Sequence, residues 1–300
     1  MPPRATPIPR EAVDADDRLH AQLAAFNRTR LTPRLPYSDE HQRTQMLQLE
    51  RAAGLVERIF VERERGHIAR RAAAAPTQPE AFVSWFESLR EHGPGQGDAL
   101  FPWLAERASI EQMRWFLQQE AAGEAGFDDL VALTQIKLGT RPKLELARNY
   151  WDEMGCGHAG GMHGPLLQTL CEHRDLNLEA DIVWESRALS NLMIALACNR
   201  DYAYQSIGAL GVIELTAPGR ATLVNAGLQR LGVPGQARRY FALHATLDVK
   251  HSAAWNAEVL APLIAELPEC AHAIAEGALM RLRAGERCFE RYRQELGIIT

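Results

Sequence analysis

The sequence of 300 residues predicts an all-α protein with a single domain. Apolar residues recur at helical spacing along most of the chain, beginning with the stretch that contains Met46, Leu47 and Leu49. Glycine and proline divide this pattern into segments of helical length, and no segment shows the alternation that is typical of a half-buried strand. The pattern contains no internal repeat, which favours one helical domain over two.

The first 36 residues are predicted to form an irregular arm, with at most a short helix around residues 14–27. They hold six of the 16 prolines, which interrupt regular structure. From Ser38 the residues Ser, Asp, Glu and His have the composition of a helix start, so the domain is predicted to span residues 37–300. Its helical stretches are predicted at 38–64, 78–91, 98–123, 126–138, 141–154, 180–216, 219–231, 236–264 and 267–296.

Composition and charge exclude several classes of protein. The formal net charge of −5 disfavours a nucleic-acid partner, because such binding depends largely on positive charge. The five cysteines are scattered and form no CxxC pair, so they predict neither a disulfide framework nor a zinc–thiolate site. The sequence shows no signal peptide and no uninterrupted apolar run of membrane-spanning length. We therefore expect a cytoplasmic protein with no membrane partner.

The most specific pattern in the sequence is His244-x3-Asp248-x2-His251. Offsets of four and seven residues place all three side chains on one stripe of an α-helix. Solvated helix faces are usually built from Lys, Glu and Arg, whereas two histidines around an aspartate are ligand types. The stripe indicates a metal site, with a polar surface face as the alternative interpretation.

A second pattern is Glu153-x9-His163, in which a predicted helix runs into a glycine-rich segment. The segment formally matches the dinucleotide fingerprint GxGxxG from Gly155 to Gly160. That fingerprint requires a preceding strand, and a helical stretch precedes it here, so nucleotide binding is disfavoured. We interpret the glycines as a bend that directs Glu153 and His163 towards one place.

Two further carboxylates lie in apolar helical stretches. Glu214 has no basic residue within one turn, and an unpaired buried carboxylate costs several kcal/mol unless a metal or proton compensates it. Glu120 is less distinctive, and its alternative is a surface position. Mixed carboxylate and imidazole ligands suit iron or manganese better than metals that prefer thiolates.

The stretch that carries Glu214 has other unusual positions. Gly208 and Gly211 lower helix propensity, and they permit a close helix contact, a bend or a ligand. Three polar residues precede Glu214 by two to four turns and are predicted to contact a substrate: Arg200, Tyr202 and Tyr204. The alternative for Arg200 is a structural salt bridge.

Three motifs carry a resemblance to a known family: His244-x3-Asp248-x2-His251, Glu153-x9-His163 and the apolar stretch with Glu214. Together they resemble the haem-oxygenase-like diiron oxidases, also called the iron-containing redox enzyme family. The resemblance covers residues 113–263. It implies a haem-oxygenase-like bundle of about seven core helices that binds two irons per chain. The implied metal ligands are Glu120, Glu153, His163, Glu214, His244, Asp248 and His251. Glu153 is the best candidate for a bridge between the irons, Glu153 and Glu214 are the implied catalytic residues, and Glu124 is the substitute for Glu120.

The resemblance also implies a reaction class. The expected activity is O2-dependent oxidation of a small metabolite in natural-product biosynthesis, with oxygenation of the nitrogen of an amine or amino acid ranked first. Desaturation or oxidative C–C cleavage of an amino or fatty acid by the same site is the alternative. A metal-free helical ligand-binding module is the alternative from another class. An external electron donor and a homodimer are further expectations.

Overall fold

The computed structural model describes residues 10–36, 39–124, 126–173 and 182–298. Within these ranges the chain is helical and contains no β-strand, which confirms the predicted fold class. The helices are α1 (Arg10–Leu31), α2 (Glu40–Ala72), α3 (Pro79–His92), α4 (Leu100–Glu106), α5 (Ile110–Gly123), α6 (Phe127–Thr134), α7 (Thr140–Glu153), α8 (His163–His173), α9 (Trp184–Cys198), α10 (Ala203–Arg230), α11 (Arg239–Ala254), α12 (Ala261–Glu266) and α13 (Cys270–Glu295).

The N-terminal arm is the first correction, because residues 10–31 form helix α1 rather than an irregular segment. The prolines of this region lie at positions 2–9 and 33–36, so they flank the helix without interrupting it. Leu23 and Phe26 are buried, and Asn27 donates a hydrogen bond to the Asn191 side chain of α9 at 2.8 Å. Helix α1 therefore packs as part of the bundle. Residues 1–9 lie outside the described ranges.

Helix boundaries differ from the predicted ones at the start of α5 and at Pro218. The predicted stretch 98–123 is divided before α5, where Ser109 and Gln112 form a capping box. The predicted break at Pro218 is wrong, because α10 continues through this proline. Pro218 has no N–H for the carbonyl of Glu214, but the packing of α10 on its neighbours holds the helix together. At the start of α2, Asp39 caps the helix through the His41 N–H at 2.9 Å, and Ser38 lies outside the described residues.

Helices α10 and α13 cross at the centre of the bundle through two glycines. A Cβ atom on Gly208 would collide with the backbone carbonyl of Ile274, and one on Gly277 with that of Gln205. Gly211 similarly leaves room for the buried Trp255 indole. Of the interpretations open for Gly208 and Gly211, the structure therefore shows close packing.

The stretch Arg200–Arg230 is long and apolar enough for a membrane span, and 61% of its most apolar window is buried inside the bundle, as in a core helix.

Replacing Gly208 by alanine is expected to destabilise the protein. The new methyl group meets backbone atoms that cannot rotate away, and overpacking of this kind costs about 1–3 kcal/mol. Urea unfolding followed by circular dichroism measures the change. Gly66→Ala in α2 is the matched control, because no atom lies within 4 Å of its new Cβ atom. That control should gain about 0.5–1 kcal/mol from helix propensity, and an unchanged unfolding midpoint for Gly208→Ala would contradict the packing described.

Candidate metal centre

The glycine-rich segment brings Glu153 and His163 into contact. Helix α7 ends at Glu153, and an antiparallel bridge between Met154 and Met162 closes the segment so that α8 begins at His163. Gly155 has a φ of +62°, and a Cβ atom there would collide with the backbone of Gly161. The His163 Nδ1 and Glu153 Oε2 atoms are 2.5 Å apart, and both side chains are buried. The loop thus positions two ligand-type side chains.

Glu214 is buried on α10 and faces the same place. Its Oε1 atom accepts a hydrogen bond from Asn149 Nδ2 of α7 at 2.6 Å. Its Oε2 atom lies 3.5 Å from His251 Nδ1. One carboxylate oxygen therefore has a neutral donor, while the other points towards an imidazole. Asn149 is a supporting residue that the sequence analysis did not identify.

The histidine stripe of α11 completes the cluster. The Asp248 carboxylate lies 3.1 and 3.2 Å from His244 Nδ1, and it is buried between the two histidines. The rings of His244 and His163 pack edge to face, with their centres 4.6 Å apart. His251 Nε2 lies 3.1 Å from the Asp152 carboxylate. All three residues of the stripe therefore face the side chains supplied by α7, α8 and α10.

The donor atoms fit a metal ion. Each histidine of the cluster has a buried ring nitrogen without a well-formed hydrogen bond: His163 Nδ1, His244 Nε2 and His251 Nδ1. The first and the last of these lie beside carboxylate oxygens of Glu153 and Glu214. A buried polar atom without a partner is costly, and a metal ion would satisfy it. One ligand atom each from Glu153, Glu214 and His251 lies within 4.8 Å of the others, which is a spacing that a shared ion can occupy. Oxygen and imidazole donors of this kind suit iron.

The charges of the cluster raise two histidine pKa values in the absence of metal. Burial lowers the pKa of His244, but the hydrogen bond and charge of Asp248 and the charge of Glu153 raise it to about 9. Burial also lowers the pKa of His251. The carboxylates of Glu214 and Asp152 outweigh this effect and raise the pKa of His251 to about 9. Both imidazoles therefore hold a proton at neutral pH, which partly replaces the charge of a metal.

The metal-free protein is expected to lose stability between pH 6.5 and pH 9. The raised pKa means that the folded state binds more protons than the unfolded state, for which the ordinary value is 6.5. The contribution of the two histidines to the free energy of unfolding is therefore fully present below pH 6.5, and it decreases as the pH approaches 9. Thermal unfolding of chelator-treated protein at both pH values measures the effect. A melting temperature that stays constant or rises over this interval would contradict the assigned contacts.

Glu120 in α5 and Glu124 directly after it both line the cavity described below. The pKa of Glu120 is raised by desolvation, and the charges of Arg220 and Arg281 oppose the shift. The pKa of Glu124 is also raised by desolvation, and the charge of His244 opposes the shift. The Glu124 side chain is exposed, and it accepts a hydrogen bond from Tyr240, whose ring lies 4.5 Å from that of His244. This contact favours Glu124, the substitute named from the sequence, as the candidate ligand from this segment.

A cavity of about 150 Å³ lies beside the cluster. Most of the predicted ligands line it, together with apolar side chains such as Phe101, Leu117 and Leu167. Tyr240 also lines it, and its hydroxyl donates to Glu124 Oε2 at 3.4 Å. Sequence analysis missed Tyr240, although its position four residues before His244 places it on the same helix face.

None of the residues predicted to contact a substrate, Arg200, Tyr202 and Tyr204, lines this cavity. Arg200 donates hydrogen bonds to the carbonyls of Leu133, Thr134 and Ile136 at the end of α6. The Tyr202 hydroxyl donates to Glu62 at 2.7 Å. Arg200 and Tyr202 precede α10 and Tyr204 lies in its first turn, whereas Glu214 is about three turns further along the helix.

Replacing Asp152 by alanine is expected to weaken iron binding about 10–100-fold, because a carboxylate that holds the second nitrogen of a ligand histidine orients its ring. Asp152 is in contact with His251 Nε2 and is not among the predicted ligands. Anaerobic Fe(II) titration of the variant measures this effect. Asp201→Ala, which removes an exposed carboxylate that does not line the cavity, is the control. Equal affinities for both variants would show that Asp152 does not orient His251.

Comparison with known proteins identifies the family of the chain. A family model described as iron-containing redox enzyme matches residues 114–286, which is more than half of the chain. The structure is similar to the crystal structure of a CADD-like protein of unknown function from Nostoc punctiforme PCC 73102, with a TM-score of 0.54 and 21% sequence identity. That likeness covers 71% of this chain and 96% of the other, and it shows the fold alone. No curated protein matches the sequence. The chain belongs to the iron-containing redox enzyme family and has its haem-oxygenase-like fold.

Proposed function

We propose that this protein is an O2-dependent non-haem diiron oxygenase or oxidase that acts on a small metabolite. The observation that carries the proposal is a cluster of three histidines, His163, His244 and His251, that contact the buried carboxylates of Glu153, Asp248 and Glu214. Each histidine has a buried ring nitrogen without a well-formed hydrogen bond. Such a set has more donors than one ion uses, since Glu153 contacts His163 while it also lies beside Glu214 and His251. Membership of an iron-containing family supports iron as the metal.

The proposed ligands divide between two ions. Glu153, Glu214 and His251 would hold one iron, and His163 and His244 would hold the other. Glu153 would bridge the pair, Asp248 would complete the ligand set, and Glu124 would take the place of Glu120. When bound, two ferrous ions supply electrons for the reduction of O2.

The chain itself contributes binding, orientation and exclusion of water. The apolar wall of the cavity removes water from around a bound substrate, and Glu214 is held by Asn149 so that its free oxygen stays directed at the site. Asp152 fixes the His251 ring from the outside. An external electron donor, a homodimer and a cytoplasmic location stay predictions from the sequence.

Oxygenation of the nitrogen of an amine or amino acid in natural-product biosynthesis is the proposed reaction. The same site also suits desaturation or C–C cleavage of an aliphatic acid, and the apolar lining by Phe101, Leu117 and Leu167 favours this second candidate. Fold does not decide between them. A metal-free ligand-binding module would use the same cavity without iron.

Isotope labelling separates these reactions. Iron-loaded protein is supplied with 18O2, a chemical reductant and a panel of amines, amino acids and fatty acids, and products are identified by mass spectrometry. Oxygenation predicts 18O in the product, whereas desaturation predicts loss of two hydrogens without label. Zinc-loaded protein is the control, because zinc has no redox chemistry. Products that form equally with zinc would contradict the proposed function.

A further inference from the structure

Two arginines, Arg220 of α10 and Arg281 of α13, line the same cavity as the proposed metal ligands. Both side chains are half-buried, and guanidinium groups in such surroundings are normally paired with carboxylates. Among the described residues, neither arginine has a carboxylate within the 4.0 Å distance of an ion pair. The ion pairs of α13 instead involve other arginines, such as Arg283 and Arg287, which bind the buried Glu64.

The surroundings of each guanidinium hold it in place without neutralising it. Arg220 donates one hydrogen bond, from Nη2 to Thr216 Oγ1 at 3.2 Å. Its guanidinium lies over the rings of Phe101 and Phe289, at 5.9 and 5.5 Å from the ring centres. The Arg281 Nε atom is buried and has no hydrogen-bond partner. Several donors of the pair are thus available to a molecule in the cavity.

Burial of this pair is electrostatically unfavourable. Burial, followed by the nearby charge of Arg281, lowers the pKa of Arg220 to about 10, and Glu120 alone opposes this shift. Burial lowers the pKa of Arg281 as well, against the effects of nearby acidic groups that include Glu120 and Glu124. An anion between the two guanidinium groups would relieve both the desolvation and the mutual repulsion.

The two arginines share few nearby counter-charges. Six carboxylates line the cavity: Glu120, Glu124, Asp128, Glu153, Glu214 and Asp248. Only the charge of Glu120 acts on both arginines, and Glu124, a candidate metal ligand, acts on Arg281. Two guanidinium groups therefore share one nearby carboxylate at the end of the cavity formed by Phe101, Arg220 and Arg281.

We infer that Arg220 and Arg281 bind the carboxylate of the substrate. This inference rests on the proposed function, and it narrows the substrate to a carboxylic acid with an apolar body. Arg220 lies six residues after Glu214 on α10, which is a rise of about 9 Å along the helix. Ala217 and Ala221 line the cavity on the same face and leave space for an aliphatic chain. The carboxylate would therefore anchor one end while the other end lies at the ligands.

Octanoate and its uncharged amide, octanamide, test this inference by isothermal titration calorimetry. Each is titrated into metal-free protein and into zinc-loaded protein, and L-2-aminooctanoate distinguishes an amino acid from a fatty acid as the preferred acid. Octanoate is expected to bind to the zinc-loaded protein more tightly than octanamide. Arg281→Gln should weaken octanoate binding at least about tenfold, which is the loss expected for a charge-assisted hydrogen bond.

The variants separate charge recognition from a structural effect. Arg281→Lys retains the charge and should lose less octanoate affinity than Arg281→Gln, and octanamide binding should change in neither. Arg291→Gln, on the same helix and paired with exposed Glu295, is the matched control. Octanoate affinity that is equal in Arg281→Gln and Arg291→Gln, or no octanoate binding to either form of the protein, would overturn the inference.

Failure of the inference and failure of the proposed function give different results. Protein that takes up two irons and oxidises them with O2, but binds octanoate and octanamide equally, retains the proposed function and loses the carboxylate site. Protein that takes up no iron loses the proposed function. In that case, arginine-dependent binding of octanoate to the metal-free protein would still establish the carboxylate site.

Discussion

Glu153→Ala is expected to reduce iron binding from two ions per chain to less than one and to abolish O2-dependent turnover. Glu153 contacts His163 through Oε2 and also lies within 4.8 Å of ligand atoms of Glu214 and His251. Because the same carboxylate faces both sets of ligands, its removal affects both ions. Iron content after anaerobic loading and gel filtration measures the loss.

Glu124→Ala is the comparison for this prediction. Glu124 lines the cavity, and in the proposed centre its loss would remove a ligand of one ion only. We expect it to retain about one iron per chain. If Glu124→Ala loses more iron than Glu153→Ala, the bridge has been assigned to the wrong carboxylate.

His251→Ala is expected to abolish turnover, and His244→Ala is expected to do the same. Each histidine supplies a buried ring nitrogen without a well-formed hydrogen bond, so in the proposed centre its removal deletes one ligand from an ion. The helical circular dichroism should change little, because α11 is held by the burial of Phe241 and of Trp255 in the π-helical turn that follows it. Oxygen consumption and far-ultraviolet circular dichroism measure the two properties.

His158→Ala provides the matched control for the histidine variants. His158 lies between the two ligand-type residues of the glycine-rich segment, but it is exposed. Its replacement should leave iron content and turnover unchanged. Full activity in either His244→Ala or His251→Ala would remove these histidines from the metal centre.

The sequence predicted the fold class because helical periodicity is a local property. The prediction from sequence failed at residues 10–31 because it averaged the proline content over the whole arm, whereas the prolines lie on either side of the helix. It failed at Pro218 because the packing of α10 in the centre of the bundle outweighs one missing hydrogen bond. The positions of the prolines decided the first case, and tertiary packing decided the second.

The site was predictable where residue type and spacing coincide. The stripe of α11 and the Glu153–His163 pair follow from short-range patterns, and the structure brings both to Glu214. Residues that act through long-range contacts were missed or misassigned. Arg281 is 61 positions from Arg220, and only the crossing of α10 and α13 shows that both line one cavity. Arg200 was favoured because it precedes Glu214 in sequence, but its partners are the carbonyls at the end of α6.

Anaerobic Fe(II) titration of the metal-free protein tests the diiron centre most directly. Fe(II) is added in steps at pH 7, the bound ion is determined at each step, and the loaded protein is then mixed with O2. We predict saturation at two ions per chain and oxidation of both ions by O2. Saturation at one ion, no uptake, or two bound ions that O2 leaves ferrous would contradict the proposed diiron function.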